Sequence, residues 1–203
     1  MYQDLRLPSL PGCEFLSLDD RKYLKTIVAL ARVLAPNSTS PLARSFGPYL
    51  ATLPTLASYR AFYPRYMRAP LRADFGGLPL VVSTERLQGE DALLHVCFDA
   101  WSASGAPATA GLSWEHMQRA IAVFETRRFG LPSPWALVPG ADLANTAPIE
   151  RANTDFWYDK ERREFVVETT SQIAAGDEVY VRYLPRGFTN ARLVAECGGH
   201  VQT

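Results

Sequence analysis

The side chains that most often carry catalysis or hold metals are scattered along this chain. His95, His116 and His200 show no metal-ligand spacing and are assigned no site. Cys13, Cys97 and Cys197 are odd in number and far apart, which argues against a disulfide framework and against a clustered zinc site. The remaining polar candidates each have a local structural explanation. Arg127 and Arg128 fall near a predicted helix C-terminus, where cations are favoured by the helix dipole. Asn145, followed by Thr146 and Pro148, is good turn chemistry. Asp142 can serve as a loop acceptor for backbone amides. Tyr183 ends an alternating strand, where a tyrosine packs its ring and satisfies its hydroxyl. Asp155 and Asp159 flank the aromatic run Phe156, Trp157 and Tyr158, which reads as sheet core in preference to an exposed contact patch.

The elements that position these residues follow from periodicity. Ser17 with Asp20 makes a capping-box-like helix start. Leu24, Ile27, Val28, Ala31 and Leu34 recur at helical spacing, and Pro36 lies just past the end. Leu53-Pro54 and Tyr63-Pro64 break the next stretch into short helical turns. A second amphipathic helix is expected over about residues 85–103, with Leu94, Cys97, Phe98 and Trp101 on one face. Ser113 caps a third, which buries Met117, Ala120, Ile121 and Phe124. After Phe129 the pattern turns to β. Residues 165–170 are rich in β-branched types and follow a polar turn at Asp159-Lys160. After a turn at Gly176, Val179, Val181 and Tyr183 alternate with Tyr180 and Arg182 as a half-buried strand, and a short helix is expected over about 190–197. The fold class is therefore α+β, helices first and short strands later.

Composition sets broad bounds. The chain has 203 residues, 47% of them apolar and 21% charged, which suits one domain with its own core. The formal net charge is zero, so there is no overall basic excess of the kind a free-standing nucleic-acid binder shows. Lysine appears only at positions 22, 25 and 160, and arginine supplies the other cations, a bias that reads first as codon usage in a GC-rich genome and second as suiting planar contacts to phosphate or carboxylate in an assembly. No apolar run approaches a membrane span. The N-terminal MYQDLRLPSLPG is neither a secretory signal nor an obvious transit peptide. An intracellular, reducing compartment is expected, mitochondrial or cytoplasmic.

Three segments in order carry a family resemblance. They are SFGPYLATLP from Ser45, LSWEHMQRAIAVFETRRF from Leu112, and LVPGADLANTAPIERAN from Leu137 with QIAAGDEVYVRYLPRGFTNARLVAECGGHV from Gln172. Together they resemble the SET domain of the Rubisco large-subunit methyltransferase type of protein-lysine methyltransferase, over about residues 18–201. The resemblance implies one SET-like domain over residues 1–203, with a helical insert-type region (18–129) followed by core strands and a C-terminal helix (130–203). It implies that Arg127, Asp142 and Asn145 match positions at the S-adenosylmethionine site, and that Tyr183 matches the tyrosine of the methyl-transfer channel. Methyl transfer to an amine is an in-line displacement, so such residues act mainly by alignment.

The sequence departs from that pattern where the pocket lies. The family opens on a Gly-x-Gly strand-turn that wraps the cofactor, and Gly12 is the sole glycine before the first helix. Thr146 stands where the family has histidine, without an imidazole's reach or ring nitrogens. Cys197-Gly198-Gly199 replaces Tyr-Gly-Phe, and Leu184 replaces the glycine after the catalytic tyrosine. The expectation is an incomplete SET fold that binds no cofactor and works as a structural or interaction subunit. Its partners would be proteins of a larger complex such as a mitochondrial ribosome or similar ribonucleoprotein, with RNA contact through arginines and no membrane. An active S-adenosylmethionine-dependent lysine methyltransferase, and a peptide-binding module that keeps only the substrate groove, are the competing expectations.

Overall fold

The computed structural model describes residues 13–67, 78–130, 136–147 and 150–181, with 78–84 described by backbone alone. Helix and strand are both present, as an α+β chain requires. Residues 182–203 lie outside the described set, and with them the expected helix over 190–197, Cys197 and Tyr183.

The helices start where their caps dictate. In α1 (Leu18–Leu34) the Ser17 hydroxyl accepts from the Asp20 amide at 3.1 Å, and Asp19 and Asp20 face the positive end of the dipole. Ala35 is extended, as expected before Pro36, and ends the helix. Ser40 caps α2 (Pro41–Ser45), whose first residue is a proline already set at a helical φ. After α3 (Gly47–Thr52), Thr55 caps α4 (Leu56–Phe62) by accepting from the Ser58 amide at 3.1 Å. The expected short turns are thus three short helices.

The next helix, α5 (Leu78–Ala103), begins earlier than residue 85. Pro79 lies in its first turn, where a missing N–H costs nothing, and the helix continues through the β-branched Val81, Val82 and Thr84. Before α6 (Trp114–Arg127), Ser113 and His116 cap reciprocally. The Ser113 amide donates to His116 Nδ1 at 3.0 Å, and the His116 amide donates back to the Ser113 hydroxyl at 3.4 Å.

The chain divides into two compact units, Met1–Ala51 with Glu85–Ile121, and Thr52–Thr84 with Ala122–Thr203. In the first, Leu24, Ile27, Val28, Ala31, Leu94, Cys97, Phe98, Trp101, Met117 and Ile121 are buried. Arg119 donates to the Leu34 carbonyl at 3.1 Å, closing one of the open carbonyls at the end of α1. The Cys13 and Cys97 thiols are fully buried and hydrogen-bonded to each other. Burial first, then Cys13 and the charge of Glu14, pushes the Cys97 thiol up to about 12.

In the second unit Tyr59 and Tyr63 are buried with their rings edge to face, and the Tyr59 hydroxyl meets the Thr126 hydroxyl at 3.1 Å. Two small sheets follow. β1 (Asn145–Thr146) runs parallel to β4 (Tyr180–Val181), and β2 (Thr154–Asp159) pairs antiparallel with β3 (Glu164–Thr169). Phe129 packs against Phe156 and Phe165 with ring centroids 4.8 and 4.7 Å away. Phe156 is therefore partly core as expected, whereas Trp157 and Tyr158 are exposed. Val181 is buried as the alternation predicts, but Val179 is exposed because the parallel pairing starts only at Tyr180.

Candidate functional site

The polar residues singled out from the sequence fall in two small networks of the second unit. The first joins the end of α6 to the loop that follows. Gly140, at φ 93°, takes a backbone conformation that L side chains rarely adopt and opens a single 3-10 turn (Ala141–Leu143). That turn buries Asp142, whose Oδ1 accepts from the Gly140 amide at 3.1 Å. Arg127 comes to the same place from the last turn of α6. Its Nη1 donates to the Asp142 carbonyl at 3.1 Å and stands 3.5 Å from the Asp142 carboxylate. The Asp142 side chain is fully enclosed and Arg127 is one-fifth exposed. Arg127 Nε is buried and meets no hydrogen-bond acceptor among the described residues.

The second network lies where β1, β2 and β4 meet. Gly176, also at φ 93°, makes the turn that aims Glu178 back along the strand. The Asp177 amide donates to the Ala174 carbonyl at 3.1 Å, and the Ala174 amide to Asp177 Oδ2 at 3.2 Å. Glu178 then receives the Asn145 side-chain amide on one carboxylate oxygen and the Tyr180 hydroxyl, at 2.9 Å, on the other. Those two donors, Asn145 first, hold its carboxyl below the usual glutamate range, and the same bond to Glu178 raises the Tyr180 phenol. Asn153 clasps the strand on both sides, donating to the Glu178 carbonyl at 2.9 Å and accepting from the Tyr180 amide at 2.8 Å. Buried Thr154 donates its hydroxyl to the Tyr180 carbonyl at 2.8 Å. Arg151 lies over the Tyr180 ring, 5.6 Å from its centroid.

The structure thus brings Arg127 to Asp142, and Asn145 to Glu178 and the strand that leads in sequence to Tyr183. Tyr183 itself lies outside the described residues. Asn153, Thr154, Glu178 and Tyr180 had not been singled out. Glu178 stands inside the Gly-Asp-Glu turn, so that motif was the available signal, whereas nothing in sequence marks Asn153 as the strand clasp.

The Arg127 charge faces the Asp142 carboxylate. The exposed Asn145 side-chain amide donates one hydrogen bond to Glu178. Thr146, beside it, lacks the imidazole that the resemblance leads one to expect. Among the described residues no group of three or more His, Cys, Asp or Glu side chains is placed to hold a metal ion. Among them too, no helix is long and apolar enough to cross a membrane. No family model matches this chain, and no curated protein matches it.

Proposed function

We propose that the chain is a degenerate SET-fold protein without catalytic activity, serving as a structural or interaction subunit of a larger assembly such as a mitochondrial ribosome or similar ribonucleoprotein. One observation carries the reading: the side chains matched to cofactor contacts are engaged with the protein itself. Arg127 is held by Asp142, and Asn145 by Glu178. Such bonds hold a loop and a strand in place, which is what a scaffold needs. Thr146 in place of histidine agrees with this. Contact with RNA through arginines in that assembly belongs to the same reading.

The second reading is an S-adenosylmethionine-dependent protein-lysine N-methyltransferase with Tyr183 as the catalytic tyrosine. The parallel pairing of β1 with β4 favours it, because it sets Asn145 beside the strand that leads to Tyr183. Incubation with tritium-labelled S-adenosylmethionine and a mixture of lysine-rich proteins separates the two. The proposal expects no label retained on the chain and none transferred. Stoichiometric retention that is lost in Asn145→Ala, or label on lysine, overturns it.

A further inference from the structure

Residues directly opposite in an antiparallel pair share a face, and faces alternate along each strand. The pairs Phe156 with Val167 and Tyr158 with Phe165 lie on the face where Phe129 packs on Phe156 and Phe165, with Tyr158 and Val167 left exposed beside it. The other face therefore carries Asp155 opposite Glu168, Trp157 opposite Val166, and Asp159 opposite Glu164. An indole and an aliphatic side chain are bracketed on both sides by carboxylate pairs. Trp157 is 41% exposed, Asp155, Glu164 and Glu168 are exposed, and Val166 and Asp159 are half-buried.

Among the described residues one cation of the hairpin, Arg162, reaches this face, at Asp159. Asp159 is engaged in the turn, accepting the amides of Glu161 and Arg162 at 2.9 and 3.0 Å, with Arg162 Nε 3.8 Å away. Glu164 and Glu168 meet no cation among the described residues, and Asp155 accepts only its neighbour's amide, from Phe156 at 2.9 Å. Like charges directly opposite each other are unfavourable, and an exposed indole leaves apolar surface in water. One kind of ligand relieves both costs: a flat cation that stacks on the indole and donates to carboxylates, which is a guanidinium. Each acidic pair lies two residues from Trp157, roughly 6–7 Å at the rise of a strand, which equals the spacing of alternate residues in an extended peptide.

We infer that the Trp157 face of the β2–β3 hairpin docks an extended, arginine-bearing segment of a partner protein. The inference rests on the reading of the chain as an interaction subunit and names the partner's chemistry. A phosphate backbone is the wrong partner for this face: over residues 154–169 five acidic side chains stand against three basic ones.

The test is binding of a fluorescently labelled peptide of alternating arginine and glycine to the full chain. The same peptide with citrulline for arginine is the neutral control, and an RNA hairpin the competing class. Saturable binding that weakens with added salt is expected for the arginine peptide alone. It should fall at least tenfold in Trp157→Ala and, separately, in Asp155→Asn/Glu168→Gln, whose isosteric amides leave the fold intact. No saturable binding, equal binding of the citrulline peptide, binding unchanged in both variants, or RNA binding to the Trp157 face each overturns it. Retention of labelled S-adenosylmethionine is read separately, so failure of the underlying proposal is not confused with failure of this one.

Discussion

Removing the cation beside Asp142 gives the most informative perturbation. In Arg127→Met the long apolar stem is kept while the guanidinium goes. The enclosed Asp142 carboxylate then loses its facing charge, and the Asp142 carbonyl loses a 3.1 Å donor. Breaking a fully buried pair by deleting one partner costs about 3–5 kcal/mol. Here Arg127 is one-fifth exposed and its contact to the carboxylate is 3.5 Å, which sets the expectation at the low end, about 3 kcal/mol. For a chain of 203 residues that lowers Tm by about 6–12 °C. Asp142→Asn keeps an oxygen for the Gly140 amide, so it should cost less, about 1–2 kcal/mol. In the double variant neither charge is left facing nothing, so it should be more stable than the two single losses added together, with a coupling of about 1–2 kcal/mol. Urea denaturation of the four proteins measures this directly. If Arg127→Met loses less than about 0.5 kcal/mol, or the double variant is simply additive, Arg127 does not act as a structural cation and the assignment fails.

The Glu178 bonds should show in acid: its folded pKa is depressed, so its contribution is present above the usual value of about 4.3 and is lost as pH falls through the lower folded value. The stability gap between wild type and Glu178→Gln should therefore narrow as pH falls below about 4, and a gap that stays constant contradicts this. Because burial and Cys13 push the Cys97 thiol up, native protein at neutral pH should leave Cys97 unmodified by iodoacetamide, with full labelling only after unfolding, as read by peptide mass spectrometry. Thr154→Val removes a buried 2.8 Å bond to the Tyr180 carbonyl and should cost about 1–3 kcal/mol in urea denaturation.

Most of the helical architecture was legible because its signals are local. Ser17, Ser113, Pro36 and the Tyr63-Pro64 step act within a turn of the boundary they set, and the buried faces of α1 and α6 follow from spacing alone. The start of α5 was not legible, since Val81, Val82 and Thr84 weigh against helix while the backbone continues through them. The site was legible as residue types but not as a geometry. Arg127, Asp142 and Asn145 stood out through the family pattern, yet that pattern gives no sign that Arg127 closes on Asp142 or that Asn145 closes on Glu178. Those contacts depend on where the 3-10 turn and the parallel β1–β4 pairing place separate stretches of chain, and side-chain periodicity carries no record of such placement. The exposure of Trp157 belongs to the same class, because only the register tells which face Phe129 packs on.

Thermal unfolding with and without millimolar S-adenosylmethionine tests the central claim most directly. A ligand held at a hundred times its dissociation constant stabilises a fold by about 2.7 kcal/mol, which here corresponds to a Tm rise of about 5–11 °C. No rise is expected, because Arg127 and Asn145 are already engaged by Asp142 and Glu178. A rise of that size, abolished in Asn145→Ala, would contradict this and show that the chain binds the cofactor at the matched residues.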